Sequence, residues 1–120
     1  DLSGTDAFRA ILPFGFVSGS SNHPDRMAVI RWVYQECGTV VDTHTADGIK
    51  VGLEYREQGV PLLCLETALP AKFEDSIVEA LGHPPERPAG YENIEALPQR
   101  FEVMEANVAA VKAYIARHAS

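Results

Sequence analysis

The sequence predicts an α/β fold, in which short parallel strands are flanked by helices. The chain has 120 residues, 46% of them hydrophobic and 22% charged, which is typical of a globular domain or of part of one. Apolar residues at helical spacing alternate along the chain with short, continuous apolar runs, and such runs are typical of buried strands. This alternation favours parallel pairing of the strands.

The charge of the chain and the way it starts restrict the kind of protein. There are 10 Lys and Arg residues against 17 Asp and Glu residues, which makes a formal net charge of −7. We therefore expect neither nucleic acid nor an anionic membrane as a partner, and no apolar run approaches the roughly 20 residues of a membrane helix. Residues 1–4 contain no initiator Met, so we expect residues 1–120 to be a single fragment of a longer protein.

The first long element is a predicted helix from about Pro24 to Cys37. The preceding residues, 18–23, are rich in Ser, Gly and Asn and indicate a turn. Proline suits the first position of a helix, and Gly38 suits its end. Apolar residues at helical spacing predict one buried stripe on this helix, formed by Met27, Ile30, Val33, Tyr34 and Cys37.

A short strand and a second helix are predicted next. Residues 39–41 contain a threonine and two valines, which are typical of strands. Thr45 can cap a helix that runs to about Gln58, with Asp47 in the first turn, where a carboxylate interacts favourably with the helix dipole. Gly59 is expected to end this helix.

The most apolar segment of the chain predicts a second strand, followed by a third helix. Residues 60–66 contain a continuous apolar run, as a buried strand does. The helix is predicted from Pro70 to about Leu81, because Phe73 and Ile77 are spaced one helical turn apart on the same face.

The last part of the chain is predicted to be irregular before it ends in a helix. Residues 83–100 hold four of the eight prolines, which predicts an irregular, proline-rich surface segment. Residues 101–103 indicate a short strand, and residues 105–118 predict the final helix. Two or three short strands make a thin sheet, which we expect to need neighbouring strands from elsewhere.

Three possible metal ligands, Asp42, His44 and Asp47, follow the first predicted strand. A metal site would need a further His or carboxylate, and no HExxH or paired-cysteine motif accompanies them, so we predict no metal. Helix capping would explain the same residues. A position beside a ligand crevice would explain them too, because α/β proteins bind ligands at the carboxyl ends of their strands.

The passage from the second predicted strand into the third helix is another candidate site. Thr67 lies at the carboxyl end of the apolar run, where a hydroxyl can face a ligand. A threonine in this place also suits the cap of a helix. From the residues alone, both roles stay open.

The two cysteines, Cys37 and Cys64, are too far apart in sequence for a zinc motif and too few for a disulfide framework. We expect both to be buried free thiols, because free cysteine behaves as a small hydrophobic residue. Free thiols are typical of a reducing compartment, so we predict a cytoplasmic protein.

Two short motifs resemble the threonine synthase family. Residues 67–73, T-A-L-P-A-K-F, are similar to the T-A-H-P-A-K-F signature near the end of threonine synthases. Residues 42–48, D-T-H-T-A-D-G, resemble their D-P-H-T-A-x-G segment. Both motifs occur in the family's order, and the resemblance extends over residues 15–118. Each motif departs from the family at one position, where Thr43 replaces Pro and Leu69 replaces His.

The resemblance implies the C-terminal portion of a pyridoxal-phosphate enzyme with the tryptophan-synthase-like fold. Such enzymes convert O-phosphohomoserine and water into threonine and phosphate. The family's threonine at the position of Thr67 is placed to hydrogen-bond the pyridine nitrogen of the cofactor. The resemblance also makes four residues candidates for lining the same cleft: Asp42, His44, Thr45 and Lys72.

The resemblance further implies that essential parts of the enzyme lie upstream. The cofactor-binding lysine and the phosphate-binding loop of the family precede the matched region, so we predict that this chain holds no catalytic residue and is inactive alone. Its partner would be the upstream part of the same polypeptide. Two alternatives stay open: another pyridoxal-phosphate lyase or synthase of the same fold, and a non-catalytic module that binds a ligand or a partner.

Overall fold

A computed structural model describes residues 3–119, and these residues form helices and irregular segments. The chain divides into two compact units, the first ending at Pro88 and the second beginning at Ala89. The α-helices are α1 (Asp6–Arg9), α2 (His23–Cys37), α3 (Thr43–Glu54), α4 (Glu74–Leu81) and α5 (Val108–His118). Three short 3₁₀ helices accompany them: Leu12–Phe14, Pro70–Phe73 and Ile94–Ala96.

The predicted α/β fold is wrong for the described part of the chain, in which no strand occurs. Residues 39–41, 60–66 and 101–103 were expected to be strands and are irregular instead. The physical reason is that a strand exists only through hydrogen bonds to a neighbouring strand. Apolar runs predict burial, but residues 3–119 contain no segment that pairs with them.

Helix α2 begins and ends where its sequence signals predict. The side chain of Asn22 accepts a hydrogen bond from the Asp25 backbone, while the Asp25 carboxylate accepts one from the Asn22 backbone, which completes a capping box. Gly38 follows the helix in the left-handed conformation, with φ of 67°, a conformation that a residue without a Cβ adopts easily.

Helices α3 and α4 differ from their predicted bounds. Helix α3 begins at Thr43 and ends at Glu54, because Asp42 rather than Thr45 provides the cap. The single helix predicted from Pro70 to Leu81 is divided into a 3₁₀ turn, Pro70–Phe73, and the α-helix Glu74–Leu81.

A small apolar core joins α2 with α3 and α4. Ile30 and Ile77 are fully buried in it, and the other buried apolar residues are Met27, Val33, Val41, Ala46 and Ala80. Of the stripe predicted on α2, Tyr34 and Cys37 are exposed. The core is small, so only the N-terminal part of the stripe, Met27, Ile30 and Val33, is covered.

Polar side chains add specific contacts between the same three helices. Arg26 of α2 donates from Nε to both carboxylate oxygens of Asp47 of α3, at 2.7 and 2.9 Å. Arg31 of α2 donates to two backbone carbonyl oxygens near the end of α4, those of Ala80 at 2.8 Å and Glu79 at 3.4 Å. These bonds fix the positions of α3 and α4 on α2, and thus the two segments that carry the motifs.

The second unit contains the proline-poor end of the irregular segment and α5. The Asn107 side chain caps α5 by accepting hydrogen bonds from the backbones of Ala109 and Ala110. The apolar residues of α5, Val108, Val111 and Ile115, all lie on the surface.

Among residues 3–119, no helix is long and apolar enough to cross a membrane. Cys37 is exposed and Cys64 half-buried, so the predicted burial of both thiols is wrong.

Candidate functional site

The centre of the first motif is the carboxylate of Asp42, which is completely buried. Its Oδ1 accepts hydrogen bonds from the backbone N–H of His44 at 2.9 Å and pairs with Nδ1 of the His44 ring at 3.2 Å. Its Oδ2 accepts a short hydrogen bond from the hydroxyl of Thr45. A buried carboxylate is costly unless it is bonded in this way, so the D-x-H-T pattern supplies the partners that Asp42 needs.

The same contacts decide the charge of Asp42. Burial raises the pKa of this carboxyl, but the hydrogen bonds from Thr45 and His44 favour the ionised form, and the net pKa lies below its ordinary value. Asp42 is therefore a buried anion at neutral pH. It holds the beginning of α3 and the side chains of His44 and Thr45 in one arrangement.

One ring contact brings the two motifs together. The imidazole of His44 lies edge-on against the ring of Phe73, with 5.0 Å between the centroids and an interplanar angle of 60°. His44 belongs to the first motif and Phe73 is the last residue of the second. The contact does not assign a function to either residue, but it shows that the two motifs lie side by side.

The second motif borders an open depression of about 320 Å³. Its lining consists of Glu66, Thr67, Ala68, Leu69 and Lys72. Within residues 3–119, neither the Thr67 hydroxyl nor the Lys72 ammonium has a hydrogen-bond or ion-pair partner. Both groups are exposed at the surface and can therefore bind a polar ligand without first breaking an internal contact.

Two features of this site have only weak signals in the sequence. Leu69 lines the depression at a position where the motif usually has His, and only the comparison with the motif draws attention to it. Phe73 contacts His44 although its helical spacing predicted a core position. Asp47, one of the three possible metal ligands, pairs with Arg26 instead, and no group of three or more metal-ligating side chains occurs in the described residues.

Known proteins similar to this chain are threonine synthases. It is 59% identical over 118 residues to the threonine synthase of Methylobacillus glycogenes and 41% identical over 108 residues to that of Corynebacterium glutamicum. These matches cover 98% and 89% of this chain, and 25% and 22% of the relatives. The chain thus spans about a quarter of the length of these relatives.

A solved structure and a family model agree with these relatives. The chain resembles the pyridoxal-phosphate-bound threonine synthase of Brucella melitensis, with a TM-score of 0.72 and 29% identity over 95% of this chain and 25% of that one. The family model "Threonine synthase, C-terminal" matches residues 45–115. Fold and motifs therefore define a part of a threonine synthase. The chain belongs to the C-terminal threonine synthase family.

Proposed function

We propose that the full-length protein containing this chain is a threonine synthase that converts O-phosphohomoserine and water into threonine and phosphate. The observation that carries the proposal is the contact between His44 and Phe73, which joins the first family motif to the second, and the second lines the depression. Membership in the family supports the reaction class. In that enzyme, this chain would form one wall of the cleft that binds the substrate and the cofactor.

Pyridoxal 5′-phosphate is the proposed cofactor, and the residues present fit it. Thr67 offers a hydroxyl without a partner in the described structure, which can donate to the pyridine nitrogen. When bound, the cofactor supplies the electron sink for the carbanion chemistry. A neutral hydroxyl does not favour protonation of that nitrogen as a carboxylate would, so Thr67 orients the ring and keeps its nitrogen neutral.

The remaining cleft residues have different tasks. Lys72 has no ion-pair partner within residues 3–119, and it places a positive charge in the same depression as Thr67, which attracts anionic groups of a ligand. Asp42 and Thr45 are buried and act by holding His44, which alone of the three exposes most of its side chain. No residue of this chain is proposed to bond covalently to the cofactor.

The rest of the family's polypeptide is the proposed partner of this chain. The relatives are about four times as long as the region matched here and would supply the cofactor-binding lysine and the phosphate-binding loop. We therefore expect the chain alone to be inactive. The proposed location is the cytoplasm, where the free thiols Cys37 and Cys64 stay reduced.

Phosphate release from O-phosphohomoserine tests the proposal, with the full-length protein and added cofactor. Threonine and phosphate should form together. In Thr67→Val the hydroxyl is lost while the shape stays similar, and we expect kcat to fall by about 10-fold or more, the effect of removing one hydrogen bond of about 1.5 kcal/mol. The matched control is Thr39→Val, since Thr39 is exposed and lies outside the site.

A second candidate function is suggested by Leu69. It places an apolar side chain in the depression at the motif's His position, which favours a different phosphorylated or hydroxylated amino acid as substrate of the same cofactor. Cofactor binding without phosphate release from O-phosphohomoserine would favour this second function. Absence of cofactor binding would contradict both.

A further inference from the structure

In the Asp42–His44 pair, a buried carboxylate holds an exposed imidazole, which is the arrangement of a proton acceptor and its positioning residue. Asp42 is fully buried, whereas the His44 side chain is 62% exposed. The Nδ1 edge of the ring therefore lies against the buried carboxylate, while most of the side chain is open to solvent. Helix capping explains the bond from Asp42 to the His44 backbone, but it does not require the second contact, from Asp42 to the His44 ring.

The carboxylate decides which ring nitrogen carries the proton. An ionised carboxylate only accepts hydrogen bonds, so Nδ1, which lies 3.2 Å from Oδ1, must be the donor. In the neutral imidazole the other nitrogen, Nε2, is then an acceptor with a lone pair. The ring orientation is fixed on its other side by the edge-on contact with Phe73.

We propose that His44 Nε2 is the proton-accepting group that this chain contributes to the cleft, and that Asp42 is its positioning residue. The inference rests on the proposed function for its substrate. When a water or ligand hydroxyl reacts, its O–H bond breaks, the electron pair stays on oxygen and the proton forms a bond to Nε2. The resulting imidazolium keeps its Nδ1 proton bonded to Asp42, whose negative charge balances it.

The charged groups around the ring are compatible with this role. On the side of α3 the carboxylate of Asp42 faces Nδ1. On the opposite side the neighbours of Phe73 in sequence are Lys72 and Glu74, and Glu74 is already paired with Arg87 at 2.8 Å. Lys72 precedes Phe73 in sequence and lines the depression.

Chemical modification measures the proton position without measuring activity. Diethyl pyrocarbonate acylates the unprotonated nitrogen of a neutral imidazole, and peptide mass spectrometry reads each histidine separately. In the full-length protein at pH 7.5, His44 should react readily. In Asp42→Asn the amide oxygen can keep the bond to the His44 backbone N–H, but a neutral amide holds the proton on Nδ1 less strongly than a carboxylate does. A larger fraction of the ring then carries its proton on Nε2, and acylation of His44 should slow several-fold.

Two histidines of the chain are matched controls for this experiment. In His83 and His118, Nδ1 lies at 3.1 and 2.9 Å from backbone carbonyl oxygens, which impose the same tautomer without Asp42. Their acylation should not change in the variant. If His44 in the variant reacts as fast as in the parent protein, the proposed role of Asp42 is wrong.

Activity variants test His44 itself. His44→Gln should lower kcat/KM for phosphate release by about 100-fold, the usual contribution of a general base. His44→Phe keeps an aromatic contact with Phe73 and should be equally impaired. Full activity of either variant, in a parent protein that releases phosphate, refutes the inference.

The two variants at His44 keep the test usable if Asp42→Asn does not fold, because the His44 side chain is mostly exposed. A parent protein that releases no phosphate would contradict the proposed function. The acylation rates would still confirm or refute the pairing of Asp42 with His44.

Discussion

At the scale of single residues, Asp42 has more tasks than any other side chain of the first motif. It caps α3, binds the hydroxyl of Thr45 and contacts the ring of His44. All of these partners are within three positions of it in sequence. A short motif can therefore contain all the residues of one local hydrogen-bonded structure. For this reason the motif is recognisable in the sequence without the rest of the fold.

The low pKa of Asp42 makes a prediction about acid stability. An aspartate whose pKa is lower in the folded than in the unfolded state adds stability above the ordinary value of 3.8. This stability is lost as the pH falls below that value and through the folded pKa. Asp42→Asn should cost about 1–3 kcal/mol of unfolding free energy at pH 7, with a smaller cost at pH 3, as measured by urea unfolding followed by circular dichroism.

The control for this measurement is Asp6→Asn. Asp6 pairs with Arg9, but its side chain is completely exposed, so its removal should change the unfolding free energy little at either pH. An equal cost of Asp42→Asn at pH 7 and pH 3 would contradict the assignment of an ionised, buried carboxylate.

The sequence could predict much of this site, but not its contacts. Both motifs are recognisable from their residues, and Thr67 and Lys72 line one depression, but their roles stay a prediction. Phe73 was interpreted from helical spacing alone, which predicts a buried face but cannot identify the partner. The contact with His44 depends on how α3 and α4 each pack on α2, and that packing is determined partly by core residues outside both motifs, such as Ile30 and Ile77.

At the scale of elements, the extent of α2 and the end of α4 were predictable because their signals are local, whereas the starts of α3 and α4 were not. Asn22 and Gly38 delimit α2, and Gly82 ends α4 with φ of 80°. The strand predictions were wrong because residues 60–66 can form a strand only when another strand pairs with them. No property of those residues alone could show that such a segment is absent from residues 3–119.

The first turn of α3 makes a second prediction. Thr43 is the first residue of the helix, where proline is favoured and its missing N–H costs nothing. Asp42 has φ of −75° and ψ of 170°, which is the conformation required of a residue before proline. Thr43→Pro should therefore raise the unfolding free energy by about 0.4–1 kcal/mol.

Thermal unfolding of the chain checks this prediction, and Thr45→Pro is the matched control. Thr45 is buried and its hydroxyl binds Asp42, so proline there should destabilise the chain. A lower melting temperature for Thr43→Pro would show that its backbone does not have the geometry described here.

At the scale of the whole molecule, the apolar surface exceeds what the small core covers. Leu63 and Leu65 are 86% and 83% exposed, although they belong to the most apolar run of the sequence. Exposed apolar surface of this kind marks an interaction site. The proposed partner, the rest of the family's polypeptide, explains why a run with the composition of a buried strand lies on the surface.

This makes a third prediction, which compares two lengths of the protein. Leu63→Ser combined with Leu65→Ser should change the unfolding free energy of the 120-residue chain by less than about 0.5 kcal/mol, as surface substitutions do. In the full-length protein the same change should cost about 2–5 kcal/mol, as in a core. Denaturant unfolding of both lengths measures the difference.

Ile77→Ala is the positive control, because Ile77 is fully buried within the chain itself. It should destabilise both lengths by about 2–5 kcal/mol. If the double leucine variant costs equally little in both, Leu63 and Leu65 do not face the rest of the polypeptide.

The bonds that Arg31 makes to α4 also bear on how the sequence can change over time. Its acceptors are main-chain oxygens of Glu79 and Ala80, and every amino acid has such an oxygen. A substitution of Glu79 removes its hydrogen bond with the His23 ring but leaves the acceptor of Arg31 in place. The two sides of this helix contact therefore tolerate mutation differently. Position 79 can hold other amino acids without loss of the acceptor, whereas position 31 needs the guanidinium group of arginine.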